Sequence, residues 1–323
     1  MPRVAAIDCG TNSLRLLIAD VDVEKGELTE VLSDMVIVRL GQGVDKTGRF
    51  ADEALSRTFE VVDLYGERCR AAGVEATRFV ATSATRDASN RDEFLAGVES
   101  RMGIKPDVVS GEEEARLSFL GATRALDETH PGPFLVADLG GGSTELVLGM
   151  DSPEAEHSMD VGCVRMFERH AFSDPPTEAE IAAAVADIDA ALDRAAEAVP
   201  LGSTRTLVGL AGTVTTVAAH ALNLKTYDRE RIHGCVFLIE EACAAASSLI
   251  GMTHDERAAL GFMDPGRVDV IGAGALVWRQ VMLRVETETM MAGGRLDTVV
   301  TSEHDILDGI AWDLATGASP TEG

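Results

Sequence analysis

Lysine is almost missing from this chain. Lys25, Lys46, Lys105 and Lys225 are the only four among 323 residues, so positive charge is carried nearly entirely by arginine. Any cationic anchor is then an arginine, whose planar fork grips phosphate bidentately where lysine offers only a point charge. Positive charge as a whole is also short: 28 Lys and Arg face 54 Asp and Glu, a formal net charge of −26. That balance lacks the basic face of a nucleic-acid binder, and DNA and RNA are set aside as partners. A polyanionic substrate stays open, because a metal ion and a few arginines reverse the local field inside an acidic protein. Cysteine is sparse and odd in number. Cys9, Cys69, Cys163, Cys235 and Cys243 contain no CxxC pair, which argues against a disulfide framework or a structural zinc site and for a reducing compartment. Long apolar runs are absent too. The first, residues 4–7, stops at Asp8 and is too short for a signal-peptide core, and none reaches the length of a bilayer span. The expectation is a soluble, cytoplasmic protein with no membrane partner. Apolar residues make up 46%, enough for a globular core, and the length suggests two domains.

What the chain does hold is a motif that occurs twice. Residues 135–148, LVADLGGGSTELVL, read as a strand, a glycine turn and a returning strand. Residues 6–18 align on 136–148 without a gap at an offset of 130: Asp8 on Asp138, Gly10 on Gly140, Ser13 on Ser143, Leu16 on Leu146. The period is too long for a solenoid and fits a duplicated domain with two phosphate-gripping hairpins facing each other across a cleft. The plain alternative is two ordinary hairpins. Gly140, Gly141 and Gly142 allow positive φ and a close backbone approach, clustered N–H groups suit a phosphate oxygen, and Asp138 at the rim suits a hard cation such as magnesium.

Along the chain, residues 4–7 and 14–19 form the first hairpin, and residues 28–40 a third strand broken near Ser33 and Asp34. Residues 51–72 form a helix, with Leu55, Phe59, Val62 and Leu64 near helical spacing. The strand 78–81 runs into Thr82-Ser83-Ala84-Thr85-Arg86, where a helix start and an arginine make Arg86 a candidate phosphate clamp; the alternative is a surface arginine. A helix opens at Ser110 and runs to about 126. With Ser110 as N-cap, Glu113 falls at N3, where its carboxylate reaches back to the cap, and Glu112 complements the helix dipole. Glu114 is left without a structural duty beside small Ser118 and Gly121, a candidate general base; the alternative is a solvated helix-start glutamate. Further on come a strand at 156–161, a helix from Gly162, a capping box at Thr177 and Glu180, a strand at 206–210, and a glycine-and-hydroxyl turn at Gly212 and Thr213 opening a helix. Helices at 239–250 and 267–285, a strand at 288–291, a last helix capped by Ser302 and Asp305, and a loose tail from Ser319 complete the reading.

Taken together, Asp8–Arg15, Ala81–Arg86, Ser110–Arg116, Asp138–Glu145 and Gly209–Thr213 resemble the motifs of the exopolyphosphatase/guanosine pentaphosphate phosphohydrolase (Ppx/GppA) family. They occur in the family's order, cover residues 4 to about 316, and are most similar to its compact actinobacterial type. The resemblance implies an α/β fold of two ribonuclease-H-like domains of the actin-like ATPase superfamily with an interdomain cleft: residues 1–118 plus 302–323, and residues 119–301. It implies that Glu114 activates water, that Asp138 and Glu145 hold Mg2+ or another divalent cation, and that Asn12, Ser13, Arg15 and Arg86 contact phosphate from the first domain. Gly141, Gly142, Ser143, Gly212 and Thr213 do so from the second. Larger members carry C-terminal domains that hold long polyphosphate, and this chain ends without them.

The expected activity is release of the terminal phosphate from short polyphosphate or from guanosine pentaphosphate, a nucleotide of the stringent response; a homodimer is left open. Two rivals follow from the same residues. A small-molecule kinase of the same superfamily would use the aspartate and glycine turns for ATP, and a sensor would bind guanosine pentaphosphate without turnover.

Overall fold

The computed structural model describes residues 1–126 and 129–317; the expected tail from Ser319 lies outside them. The chain divides into two compact units, Met1–Gly121 with the segment from Ile306, and Ala122–Asp305. No helix among the described residues is long and apolar enough to cross a membrane.

In the first unit the strands are β1 Arg3–Cys9, β2 Ser13–Asp22, β3 Glu27–Ile37, β4 Ala76–Ala81 and β5 Asp107–Val108. They form one sheet in the order β3-β2-β1-β4-β5. β1 is antiparallel to β2 and parallel to β4. It is apolar on both faces because both are covered. Ala5, Ile7 and Cys9 pack with Phe50, Tyr65 and Phe94 on one side. Val4 and Ala6 pack with Leu117, Ile310 and Trp312 on the other. Asp8 alternates with the first set, so it lies on the face covered by the helices Gly111–Arg124 and Ile306–Thr316.

The second unit repeats the plan. Its strands are β6 Phe134–Leu139, β7 Thr144–Gly149, β8 Pro153–Met159, β9 Thr206–Leu210, β10 Val236–Leu238 and β11 Thr298–Thr301, in the order β10-β11-β9-β6-β7-β8. β6 is antiparallel to β7 and parallel to β9, β9 is parallel to β11, and β10 is an added antiparallel edge. Read from the third strand of each unit, the two sheets share one connectivity and differ by that edge strand. This is the ribonuclease-H-like arrangement, present twice.

Several local expectations are corrected. The irregularity in β3 is a bulge at Val31, where Ile18 pairs with Leu32 and Ala19 with Glu30; Ser33 and Asp34 pair normally with Leu17 and Leu16. Residues 288–291 are not a strand. The helix Ile271–Met291 continues through them because Val281, Val285 and Thr289 keep one buried face. The final strand is Thr298–Thr301 instead. Ser302 does not cap the last helix, which begins at Ile306; its hydroxyl hydrogen-bonds the backbone of His304 in the preceding loop.

Candidate active site

The two hairpin turns are built alike. The Gly10 amide donates to the Ser13 carbonyl at 3.0 Å, and 130 positions later the Gly140 amide donates to the Ser143 carbonyl at 3.0 Å. In each, the carbonyls that follow are occupied. Thr11 accepts from Gly41, and Asn12 from Val38 and Arg39; Gly140 accepts from Cys163, and Gly141 from Val164 and Arg165. Arg165 Nε adds a bond to the Gly142 carbonyl at 2.7 Å. With carbonyls tied down, the amides turn the other way. Those of Thr11, Asn12, Gly141, Gly142 and Ser143 donate to no acceptor among the described residues, the nest-like array that receives an anion.

One expectation about this turn is overturned: Gly140, Gly141 and Gly142 do not adopt positive φ. Space, not handedness, is the glycine requirement here, and it falls most sharply on a residue the sequence did not single out. A Cβ on Gly162 would stand 2.5 Å from the carbonyl of Gly141. Gly162 thus lets the helix Cys163–His170 close on the turn and supply the amides that hold its carbonyls.

The hydroxyls strengthen this picture. Ser143 Oγ and Thr11 Oγ1 are buried with no hydrogen-bond partner. Such a group normally has one, so each turn carries a donor ready for a ligand atom.

Charge distinguishes the two hairpins. Asp8 and Arg15 stand opposite each other across the first ladder, and Arg15 donates to Asp8 Oδ2 from Nη2 at 2.7 Å and Nε at 3.0 Å. The equivalent pair in the second ladder is Asp138 and Glu145, two carboxylates on one face where the first hairpin has an ion pair. Like charges directly opposite are unfavourable. Both are buried, Glu145 completely, and Ser158 Oγ donates to Glu145 Oε1 at 2.7 Å. A divalent cation would offset that opposition. Among the described residues no group of three or more His, Cys, Asp and Glu forms a complete metal cage. Magnesium does not need one, since it binds through one or two carboxylates with water and substrate phosphate. The donor set therefore fits Mg2+.

Glu114 is neither solvated nor alone. It is 8% exposed, on the first turn of Gly111–Arg124, and Arg86 Nη1 donates to its Oε2 at 2.7 Å and to the Val109 carbonyl at 2.9 Å. Arg86, expected either as a clamp or as a surface residue, is half-buried and orients this carboxylate. Glu113 makes only half of the expected capping box. Its amide donates to the Ser110 hydroxyl oxygen at 3.2 Å, but its carboxylate accepts from Arg116 and Arg78 instead of returning to the cap. Those charge-assisted bonds outcompete a neutral amide.

Gly212 and Thr213 lie in the first turn of the helix Ala211–Ala221, which β9 enters through Ala211 at φ 70°. Non-glycine residues are held in that region only where their surroundings enforce it, commonly at functional sites. A Cβ on Gly212 would meet the Arg267 guanidinium at 2.3 Å, and Arg267 Nη1 donates to the Gly212 carbonyl at 3.3 Å. Sequence reading missed Arg267, because only the fold brings it across 55 positions. Thr213 is buried beside Cys163 and Gly274. Burial pushes the Cys163 thiol up, against the opposing Thr213 hydrogen bond. The Cys163 amide donates to the Gly140 carbonyl, so this residue stands between the helix start and the glycine turn. The structure thus pairs Arg86 with Glu114, Arg15 with Asp8, and Asp138 with Glu145, while Asn12 and Ser13 stay in the first turn.

Comparison with known proteins identifies the family. The Ppx/GppA phosphatase family profile matches residues 17–296, and the chain belongs to that family. It is 48% identical to exopolyphosphatase 2 of Mycobacterium tuberculosis over 98% of this chain and 99% of that one. It is 31% identical to guanosine-5'-triphosphate,3'-diphosphate pyrophosphatase of Aeromonas salmonicida, over 91% of this chain but 58% of that longer protein. A crystal structure of an exopolyphosphatase-like protein superposes with a TM-score of 0.94 at 45% identity, over 98% of this chain and 100% of the other.

Proposed function

We propose that the chain is a phosphohydrolase that releases the terminal phosphate from short inorganic polyphosphate and from guanosine pentaphosphate. The observation that carries this reading is the buried Glu114 carboxylate held by Arg86 at 2.7 Å, in a member of a phosphatase family. Glu114 takes a proton from water as the water oxygen attacks phosphorus in line. The bond from phosphorus to the bridging oxygen breaks, and the shortened chain leaves with that oxygen. Arg86 fixes the carboxylate and offers its guanidinium to a phosphate oxygen. The unspent amides of Gly141, Gly142 and Ser143 and the Ser143 hydroxyl bind terminal oxygens, and Thr11 and Asn12 offer the same groups from the first turn. Gly212 and Thr213 begin a second phosphate-binding position beside Arg267. Asp138 and Glu145 would hold Mg2+, which supplies charge neutralisation to the transferring group. Phosphoryl transfer asks mainly for positioning and charge stabilisation, and these residues supply both.

Support for this substrate range comes from the two named relatives, one an exopolyphosphatase and one acting on the guanosine nucleotide. A kinase needs an acceptor, and a sensor has no use for a positioned base. The test is phosphate release from short polyphosphate, long polyphosphate and guanosine pentaphosphate, without acceptor, in Mg2+ and in excess chelator. Release that requires Mg2+ and no acceptor is expected. Turnover only with an added hydroxyl acceptor would favour the kinase, and tight binding without release the sensor.

A further inference from the structure

A cavity of about 160 Å³ lies among the helices of the second unit and uses none of the residues above. Its walls are Phe167, Phe172, Ile181 and Leu276, and its polar end is formed by Arg257 and Asp174. Arg257 is 7% exposed. Nε donates to the Thr253 carbonyl at 3.3 Å and Nη2 to Asp174 Oδ1 at 3.1 Å. Nη1 lies against Gly272, where even a Cβ would stand 3.1 Å away, and donates to no acceptor among the described residues. The His254 amide also donates to Asp174 Oδ1, at 2.7 Å, which leaves Oδ2 of that half-exposed carboxylate with no donor among the described residues. Asp269, 3.4 Å from the His254 ring, adds a second acid to the lining.

The end of the cavity thus holds an unspent guanidinium N–H next to an unspent carboxylate oxygen, with apolar walls behind. A bare anion would meet Asp174 and Asp269, and a bare cation would meet Arg257. A neutral apolar molecule would leave the Nη1 donor unsatisfied, a desolvation cost. A zwitterion with an apolar body satisfies every group. We propose that this cavity binds a small hydrophobic α-amino acid, its carboxylate on Arg257, its ammonium facing Asp174 and its side chain among Phe167, Phe172, Ile181 and Leu276. The size agrees, since a cavity of about 150 Å³ holds a benzene ring.

The site bears on the phosphate turn through one helix. Phe167 belongs to Cys163–His170, whose first amides hold the carbonyls of Gly140 and Gly141. An occupant packs on the far end of the same helix. Binding itself does not rest on the phosphohydrolase reading and is measured without substrate.

The experiment is calorimetric titration of the full chain with leucine and phenylalanine. The controls are 4-methylpentanoate and 3-phenylpropanoate, which lack the ammonium, and isoamylamine and phenethylamine, which lack the carboxylate. One saturable site for at least one amino acid is expected, about tenfold or more tighter than its two truncated forms. Ile181→Phe, which fills the cavity and spares Arg257, and Asp174→Asn, which removes the ammonium partner, should each weaken it about tenfold with the thermal transition retained. Absence of saturable binding by both amino acids up to about 10 mM overturns the proposal. So does equal affinity for a truncated form, or full affinity in whichever of the two variants folds.

Discussion

At the scale of single residues, the most informative atom is Ser143 Oγ. It is buried and has no protein partner, so its removal deletes no internal hydrogen bond. Ser143→Ala is therefore expected to keep its stability within about 0.5 kcal/mol while raising KM for phosphate release. A fall in thermal stability with unchanged KM would mean that the hydroxyl serves the fold. The sequence made Ser143 visible because its motif is repeated at a fixed offset. It also made Glu114 visible, by leaving it over once Ser110 had been given its cap. It could not make Arg267 visible, since no local pattern links it to Gly212. Nor could it foresee where the Glu113 carboxylate goes: Arg116 is near in the chain, but Arg78 lies 35 positions away.

At the scale of elements, the paired hairpins were legible because strand, turn and returning strand each leave a pattern, and two copies corroborate one another. The helix Arg91–Met102 was not read. Only Phe94 and Val98 are buried on it, too thin a stripe to give a helical period. Residues 288–291 resembled a strand because the β-branched Thr289 favours one, yet the packing of Val281 and Val285 carries the helix through them. Close approach between elements is equally silent in a sequence, and Gly162 is the test. Its Cβ would press on the Gly141 carbonyl at 2.5 Å, where only backbone could yield. Gly162→Ala is expected to cost about 1–3 kcal/mol and to lower phosphate release more than Ser143→Ala does. Thermal melting and steady-state kinetics on the same preparation check both parts. Wild-type stability and activity in Gly162→Ala would show that the turn and the helix Cys163–His170 are not closely coupled.

For the molecule as a whole, acid sensitivity has an identifiable source. In the first unit Arg78 and Arg116 share Glu113 and Asp313, the latter on the C-terminal helix; Arg78 Nη1 lies 3.0 Å and Arg116 Nη2 2.5 Å from Asp313 Oδ2. Burial pushes the Glu113 carboxyl up, but Arg116 and then Arg78 outweigh it and hold the group below the usual carboxylate range. A carboxyl lowered on folding contributes stability that is present above its unfolded value, about 4.3, and is lost as pH falls through the lower folded value. Stability should therefore fall below about pH 4.3, and Glu113→Gln should flatten that acid limb while weakening the fold at neutral pH. Urea unfolding across the acid range measures it, and an unchanged acid limb in the variant would contradict the assignment. The formal charge of −26 could be read off the sequence, but which acids are held by which arginines could not, because the contacts span up to 235 positions.

The central claim is that Glu114 takes the proton from the attacking water, and one measurement tests it most directly: single-turnover phosphate release from polyphosphate by Glu114→Gln in Mg2+. The amide keeps the shape and can still accept from Arg86, but it is no base. The expected result is a rate lower by about 10²–10⁴ with substrate binding and the thermal transition retained. Release at the wild-type rate would contradict the account.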